Sequence, residues 1–348
     1  MIDPTAPLEP DRAHDAAGSS RDPAAPVRPS GAWWLPAATL LLVGALVLGV
    51  MIGPAGNWGT ASWNIVWNVR MPRVALAGIV GAMLSLAGAS YQGVFRNPLV
   101  DPYLLGVAAG AGLGATIVFA LGRATTSGWL VDPLPLAAFV GGLLAVLLTY
   151  LVGSSNGVGR TGITLVLAGV AVTSLATAIQ AFVLQRNNDV IREVYGWILG
   201  RLSTADWGDV RLVLPYVVVS SVVLLLHRRH LDVLRVGDDE AAALGTHVRR
   251  VRLVVVIAAT MGTAAVVSVS GLIGFVGIVV PHAIRLLAGA SYRRLLPLSI
   301  VVGAAFLILA DIPGRVLQDP AETPIGVVTA FLGAPFFIVV LRTRRLVE

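Results

Sequence analysis

Apolar runs near 20 residues alternate with short polar stretches along most of the chain. At 1.5 Å rise per residue, about 20 residues give roughly 30 Å, the thickness of a bilayer's hydrocarbon core. The pattern predicts an all-α, polytopic membrane protein of about ten spans, at 33–52, 71–94, 104–121, 134–152, 163–184, 212–226, 253–269, 275–287, 295–312 and 326–341. Two segments break the alternation. Residues 194–202 (VYGWILGRL) are apolar but too short to span, and read as a short re-entrant or surface helix. Residues 227–250 form a long polar stretch. Residues 1–31, rich in Pro, Ala and Asp, have little to bury and read as a disordered tail. The first apolar run starts only at Trp33, which does not fit a signal peptide. The expected organisation is that tail, then one membrane domain over 32–345.

Composition agrees with the pattern. Of 348 residues 56% are hydrophobic and 13% charged, against about 25% charged in an ordinary soluble domain. Cysteine is absent, which excludes disulfides, thiolate metal sites and cysteine nucleophiles. All 25 basic residues are arginine. A phosphate-binding loop G-x-x-x-x-G-K-[ST] needs a lysine, so this chain supplies none. If ATP drives it, another subunit hydrolyses the nucleotide. The net charge of +6 is accounted for by arginine-rich inner loops rather than by nucleic acid, because no basic face with interleaved aromatics occurs. With the N-terminus inside, ten spans place 17 arginines inside and 8 outside. That split favours both termini on the cytoplasmic side, with loop 227–250.

Several polar residues lie in or beside the spans. Asp238, Asp239 and Glu240 precede an alanine run, placing acids at the positive end of a helix that Gly245 can end. The result is a short helix near 238–245, either a plain surface helix or a docking surface for a cytoplasmic partner. Arg70, Arg73 and Arg315 sit at the outer ends of spans. They read as interfacial snorkelling or as docking cations. Thr173, Thr177 and Gln180 share one helical stripe, either interhelical hydrogen bonding or the wall of a wet pathway. Asp311, four residues before Arg315, reads as an i,i+4 pair or as a proton carrier. The pairs Asn97-Pro98 and Asp101-Pro102 mark an inner turn. The stretch GLIGFVGIVVPHAIR, residues 271–285, carries Gly271, Gly274, Gly277 and Pro281 in an otherwise apolar run. The glycines suit a tight outer turn and close helix packing, and Pro281 weakens the helix locally. His282 has no second ligand at metal-binding spacing, so no metal site is read there.

These stretches resemble the FecCD family of ABC importer permeases for iron–siderophore complexes, haem and vitamin B12. The matching segments are R-M-P-R at 70–73, the run from Gly88 through YQGVFRNPLVDPYLLGV, LAGVAVT at 167–173, the helix ending in A-L-G at Gly245, GLIGFVGIVVPHAIR, LADIPGR at 309–315, and ETPIGVVTAFLGAPFF at 322–337. The resemblance covers about residues 33–345. It implies a ten-span type II importer fold, working as a pair of permeases, identical or paralogous, with a pathway between them in a bacterial cytoplasmic membrane. Cytoplasmic ABC ATPase subunits would carry ATP and Mg, leaving this chain without a cofactor of its own and without enzyme activity. An extracytoplasmic binding protein would deliver the substrate. By the same resemblance Asp238, Asp239, Glu240, Leu244 and Gly245 form the ATPase-coupling helix, and Arg70, Arg73 and Arg315 dock the binding protein. Thr173, Thr177 and Gln180 line the pathway, Thr161 and Gly162 form the cytoplasmic gate, and Gly271, Gly274, Gly277 and Pro281 form a packing and hinge element. The alternative from the residues alone is an ion- or proton-coupled secondary transporter.

Overall fold

The computed structural model describes residues 33–53, 62–122, 132–154, 162–317 and 321–343. In chain order the helices are α1 (Trp34–Met51), α2 (Trp63–Val94), α3 (Val107–Ala120), α4 (Pro133–Ser154), α5 (Gly162–Arg186), α6 (Ile191–Ile198) and α7 (Trp207–Leu226). They continue with α8 (Arg228–Leu234), α9 (Asp238–Ala243), α10 (Val248–Ser270), α11 (Val276–Ala288), α12 (Tyr292–Val316) and α13 (Ile325–Thr343). Seven of these, α1, α2, α4, α5, α7, α10 and α12, are long and apolar enough to cross a bilayer; α3, α11 and α13 are shorter apolar helices. Together they account for the apolar runs expected from the sequence. The short amphipathic α6 occupies the place where the sequence offers an apolar segment too short to span.

Burial sorts the bundle into a centre and a rim. In their most apolar windows α2 and α10 are 78% buried, whereas α1 is 17% and α5 22% buried. α2 packs along α12, α10 and α11, and α1 lies outside against α12. In lipid no hydrophobic force drives helices together, so close packing of small residues holds them. Gly81 on α2 and Gly303 on α12 show this: a Cβ on Gly81 would lie 2.2 Å from the Gly303 carbonyl oxygen, and one on Gly303 2.5 Å from that of Gly81.

The structure corrects the sequence reading at two places. The stretch 53–69 between the first two expected spans reads as a polar loop, yet residues 63–69 together with Arg70 form the first turns of α2, with a π-helical stretch at Val66–Arg70. Pro72 explains that stretch, because it has no N–H to close an ordinary turn and the helix widens before it. Stacked Trp63 and Trp67 and the bond from Trp207 Nε1 to the Trp67 carbonyl (3.0 Å) hold the extension in place. The second correction concerns 271–275. Gly271 and Ile273 are buried, so this is an internal break and not an exposed outer turn. α6 and the residues after it lie over the break. A Cβ on Gly271 would sit 2.1 Å from the Trp197 carbonyl oxygen, and the Arg201 N–H donates to the Ser270 carbonyl at 2.7 Å.

Candidate functional site

Three polar assemblies stand out in this apolar bundle, at one end, in the middle and at the other end. At the end where α1 finishes and α2 begins, Arg73 donates through Nε and Nη2 to the two carboxylate oxygens of Asp311, both at 2.9 Å. Its Nη1 reaches both oxygens of Glu322, at 2.9 and 2.8 Å. Arg315 donates through Nε to Asp311 at 2.7 Å and through Nη1 to the Gly49 carbonyl at 2.8 Å. Arg70 Nη1 lies 3.2 Å from the carbonyls of Val50 and Met51. Two arginines therefore satisfy carbonyls at the C-terminal end of α1, where the helix dipole is negative and its last acceptors lack intrahelical donors.

This geometry corrects the view of three cations standing free at a rim. Arg70, Arg73 and Arg315 are 4%, 7% and 2% exposed. The physical reason is that α12 runs to Val316, so Asp311 and Arg315 lie within a helix packed on α2. A buried guanidinium must be paired, and the acids from α12 and the following turn do the pairing. The i,i+4 reading of Asp311 with Arg315 holds. Glu322, whose side chain is 28% exposed, was missed as a partner although it stands inside the matched ETPIGVV stretch.

In the middle, the short helices α3 and α11 start from two breaks that touch. The Tyr103 hydroxyl donates to the Ile273 carbonyl at 3.0 Å and accepts from the Ile273 N–H at 3.1 Å. Gln92 Nε2 donates to the carbonyls of Gly277 (2.9 Å) and Val100 (3.2 Å), while Arg285 Nη2 donates to Gln92 Oε1. Asp101 caps its own turn by accepting from the Tyr103 N–H at 2.8 Å. Non-helical backbone at membrane depth survives only where protein groups satisfy it, and these side chains do so. Gly277 is needed for close approach, since its Cβ would lie 2.5 Å from Pro102. Gly274 has open space, and Pro281 sits buried inside an unbroken α11. The residue types Tyr, Gln and Asp beside Pro-marked turns were visible in YQGVFRNPLVDPYLLGV; their partners were not.

At the other end, α9 spans Asp238–Ala243, with the acids in its first turn. Gly245, at φ +80°, ends it in a Schellman arrangement: the Gly245 N–H bonds to Ala242 and the Thr246 N–H to Ala241. Asp238 holds the helix to the bundle, through Arg96 at the end of α2 (2.9 Å) and Arg252 on α10 (3.1 Å). Ala241 is fully buried, while Leu244 is 70% exposed and Asp239 and Glu240 face outward. Elsewhere, Gln180 is buried and donates to Thr116 Oγ1 on α3 at 3.0 Å, so the predicted stripe divides. Thr177 is exposed and Thr173 half-buried. Gly162 starts α5, and Thr161 lies outside the described residues. The His282 ring meets Phe336 edge-on at 5.7 Å, an aromatic contact between α11 and α13.

Comparison with known proteins agrees with this arrangement. The family model of the FecCD transport family matches residues 37–343. The cobalamin import system permease protein BtuC of Halobacterium salinarum is 41% identical over 92% of this chain and 82% of its own length. The hemin transport system permease protein HmuU of Yersinia pestis is 36% identical over 82% of this chain and 87% of its own. A solved inward-facing structure described as a metal-chelate type ABC transporter superposes with a TM-score of 0.80 at 30% identity, covering 89% of this chain and 98% of that one. Matched by the family model over residues 37–343, the chain belongs to the FecCD transport family of ABC importer permeases.

Proposed function

We propose that the chain is the membrane-spanning subunit of a binding-protein-dependent importer. It carries an iron–siderophore complex, haem or cobalamin across a bacterial cytoplasmic membrane, driven by ATP hydrolysis on a separate subunit. The observation that carries this reading is α9. It is a short helix anchored to α2 and α10 by Asp238, yet it presents Leu244 and two acids outward. Such a helix suits a groove on a cytoplasmic ATPase, where closure of the ATPase pair pushes on α10 through the Arg252 anchor. The lysine-free sequence leaves ATP and Mg to that partner.

A second permease, identical or paralogous, faces the exposed apolar side of α5, with Thr173 and Thr177 towards the pathway and Thr161 and Gly162 at its inner end. The binding protein docks over the end held by Arg70, Arg73 and Arg315, and both termini are cytoplasmic. Asp311 is engaged by two arginines, which argues against a proton carrier at that position. The test is Leu244→Asp in the complex reconstituted with its ATPase and binding protein. Substrate uptake is expected to be lost while the chain still inserts and keeps its melting temperature. Undiminished uptake with normal assembly overturns the reading. A reporter fused to the C-terminus and active only outside the cell would overturn the orientation.

A further inference from the structure

A cavity of about 890 Å³ opens at the α9 end of the bundle, between the start of α1, α8, the end of α11 and the start of α12. Arg235, Arg285, Arg293 and Arg294 line it, with Asp232 as the acid in its wall and Trp34 at its edge. Asp232 is already committed: Oδ2 accepts from the Ser291 hydroxyl at 2.9 Å and Oδ1 from the Tyr292 N–H at 2.7 Å. It holds the turn before α12, and Arg293 Nε stays 4.0 Å away. Arg235 makes one bond to the Ala290 carbonyl at 3.2 Å, and Arg285 is tied to Gln92. Among the described residues, four guanidiniums face one carboxylate, which makes the cavity positive.

The surroundings identify what such a cavity takes. Its lip is apolar, since Leu286 and Leu287 are 71% and 64% exposed beside the four arginines. It also adjoins α1, the least buried of the seven long apolar helices, whose Leu35 is exposed next to Trp34. Tryptophan at a helix end marks headgroup depth. Guanidinium pairs bind phosphate in bidentate fashion, and basic pockets between spans on the cytoplasmic side fit anionic headgroups. A ligand with a phosphate at one end and acyl chains at the other matches both walls at once.

We propose that this cavity is a binding site for the headgroup of an anionic phospholipid in the leaflet that faces the ATPase side. The phosphate sits among Arg235, Arg293 and Arg294, and the acyl chains lie over Leu286, Leu287 and α1. The leaflet assignment rests on the orientation proposed above; the binding itself does not.

The experiment uses the full chain in nanodiscs of phosphatidylcholine doped with phosphatidylglycerol or cardiolipin, with retained lipid counted by native mass spectrometry. The double variant Arg293→Gln, Arg294→Gln, both exposed positions, is expected to lower retention of the anionic lipids roughly tenfold or more. Phosphatidylcholine retention stays level. The control pair Arg249→Gln, Arg250→Gln, also exposed and on the same end but outside the cavity, is expected to retain lipid as the parent does. Equal retention in the first variant overturns the proposal. So does an equal loss in the control, which would mean diffuse positive charge. Displacement by inorganic phosphate alone would point to a free-anion site instead. A topology reporter that came out reversed would move the leaflet and leave retention unchanged.

Discussion

The two ends of the bundle use the same Arg–Asp chemistry to opposite effect. At one end Arg73, Arg315 and Asp311 are nearly inaccessible and joined by several bonds to each other, to Glu322 and to the end of α1. At the other, Asp238 and Arg96 have side chains 40% and 42% exposed and share one bond, and Asp238 also meets Arg252 on α10, whose side chain is 16% exposed. An ion pair shut away from water cannot lose one member without leaving a buried charge, whereas a solvated pair contributes little. The first arrangement locks α1, α2 and α12 together. The second holds α9 to the bundle through contacts that face solvent.

The largest expected effect comes from breaking the buried end. Asp311→Ala leaves the buried Arg315 without its carboxylate and Arg73 with Glu322 alone, and should destabilise the chain by about 3–5 kcal/mol, seen as a large drop in melting temperature in detergent and in membrane accumulation. A variant that melts like the parent would show that the cluster does not hold the end together. Next is the middle of the bundle. Tyr103→Phe leaves the N–H and carbonyl of Ile273 without their hydroxyl partner and should cost about 1–3 kcal/mol, with faster amide exchange at 271–275. Unchanged exchange would mean other groups satisfy that backbone.

Smaller still, Asp238→Ala should cost about 0.2–1 kcal/mol, and the loss should shrink at high salt. A loss as large as that of Asp311→Ala would erase the contrast between the ends. Least of all, Leu244→Asp should stay within about 0.5 kcal/mol of the parent in stability, because Leu244 already faces outward. A marked fall in its melting temperature would show that Leu244 packs in the folded chain.

Much of the fold was legible in the hydrophobic pattern. The ten apolar runs correspond to helices, α9 lies where acids, alanines and Gly245 place it, and α6 fills the segment too short to span. These features depend on local sequence: run length, capping residues and helix dipole. The site was legible only in part. Gln180 stood as one of three stripe residues, read as interhelical bonding or as a pathway wall; it makes an interhelical bond, and its partner Thr116 on α3 emerged only from packing. Arg73 looked like a surface cation because its acids lie 238 and 249 residues away in sequence.

By itself, then, the sequence determined that this chain is a lysine-free bundle of membrane helices with a short acid-headed helix on one polar loop. Apolar run length, residue count and capping are local properties, and burial elsewhere cannot change them. Only the tertiary structure decided which arginines are spent inside the protein and that the two broken helices meet at Tyr103 and Ile273. It also decided that four arginines, one just after α8, one from α11 and two from α12, gather around one cavity. Those outcomes depend on which helices lie side by side, and in lipid that is settled by small-residue packing and by the need to pair each buried polar group.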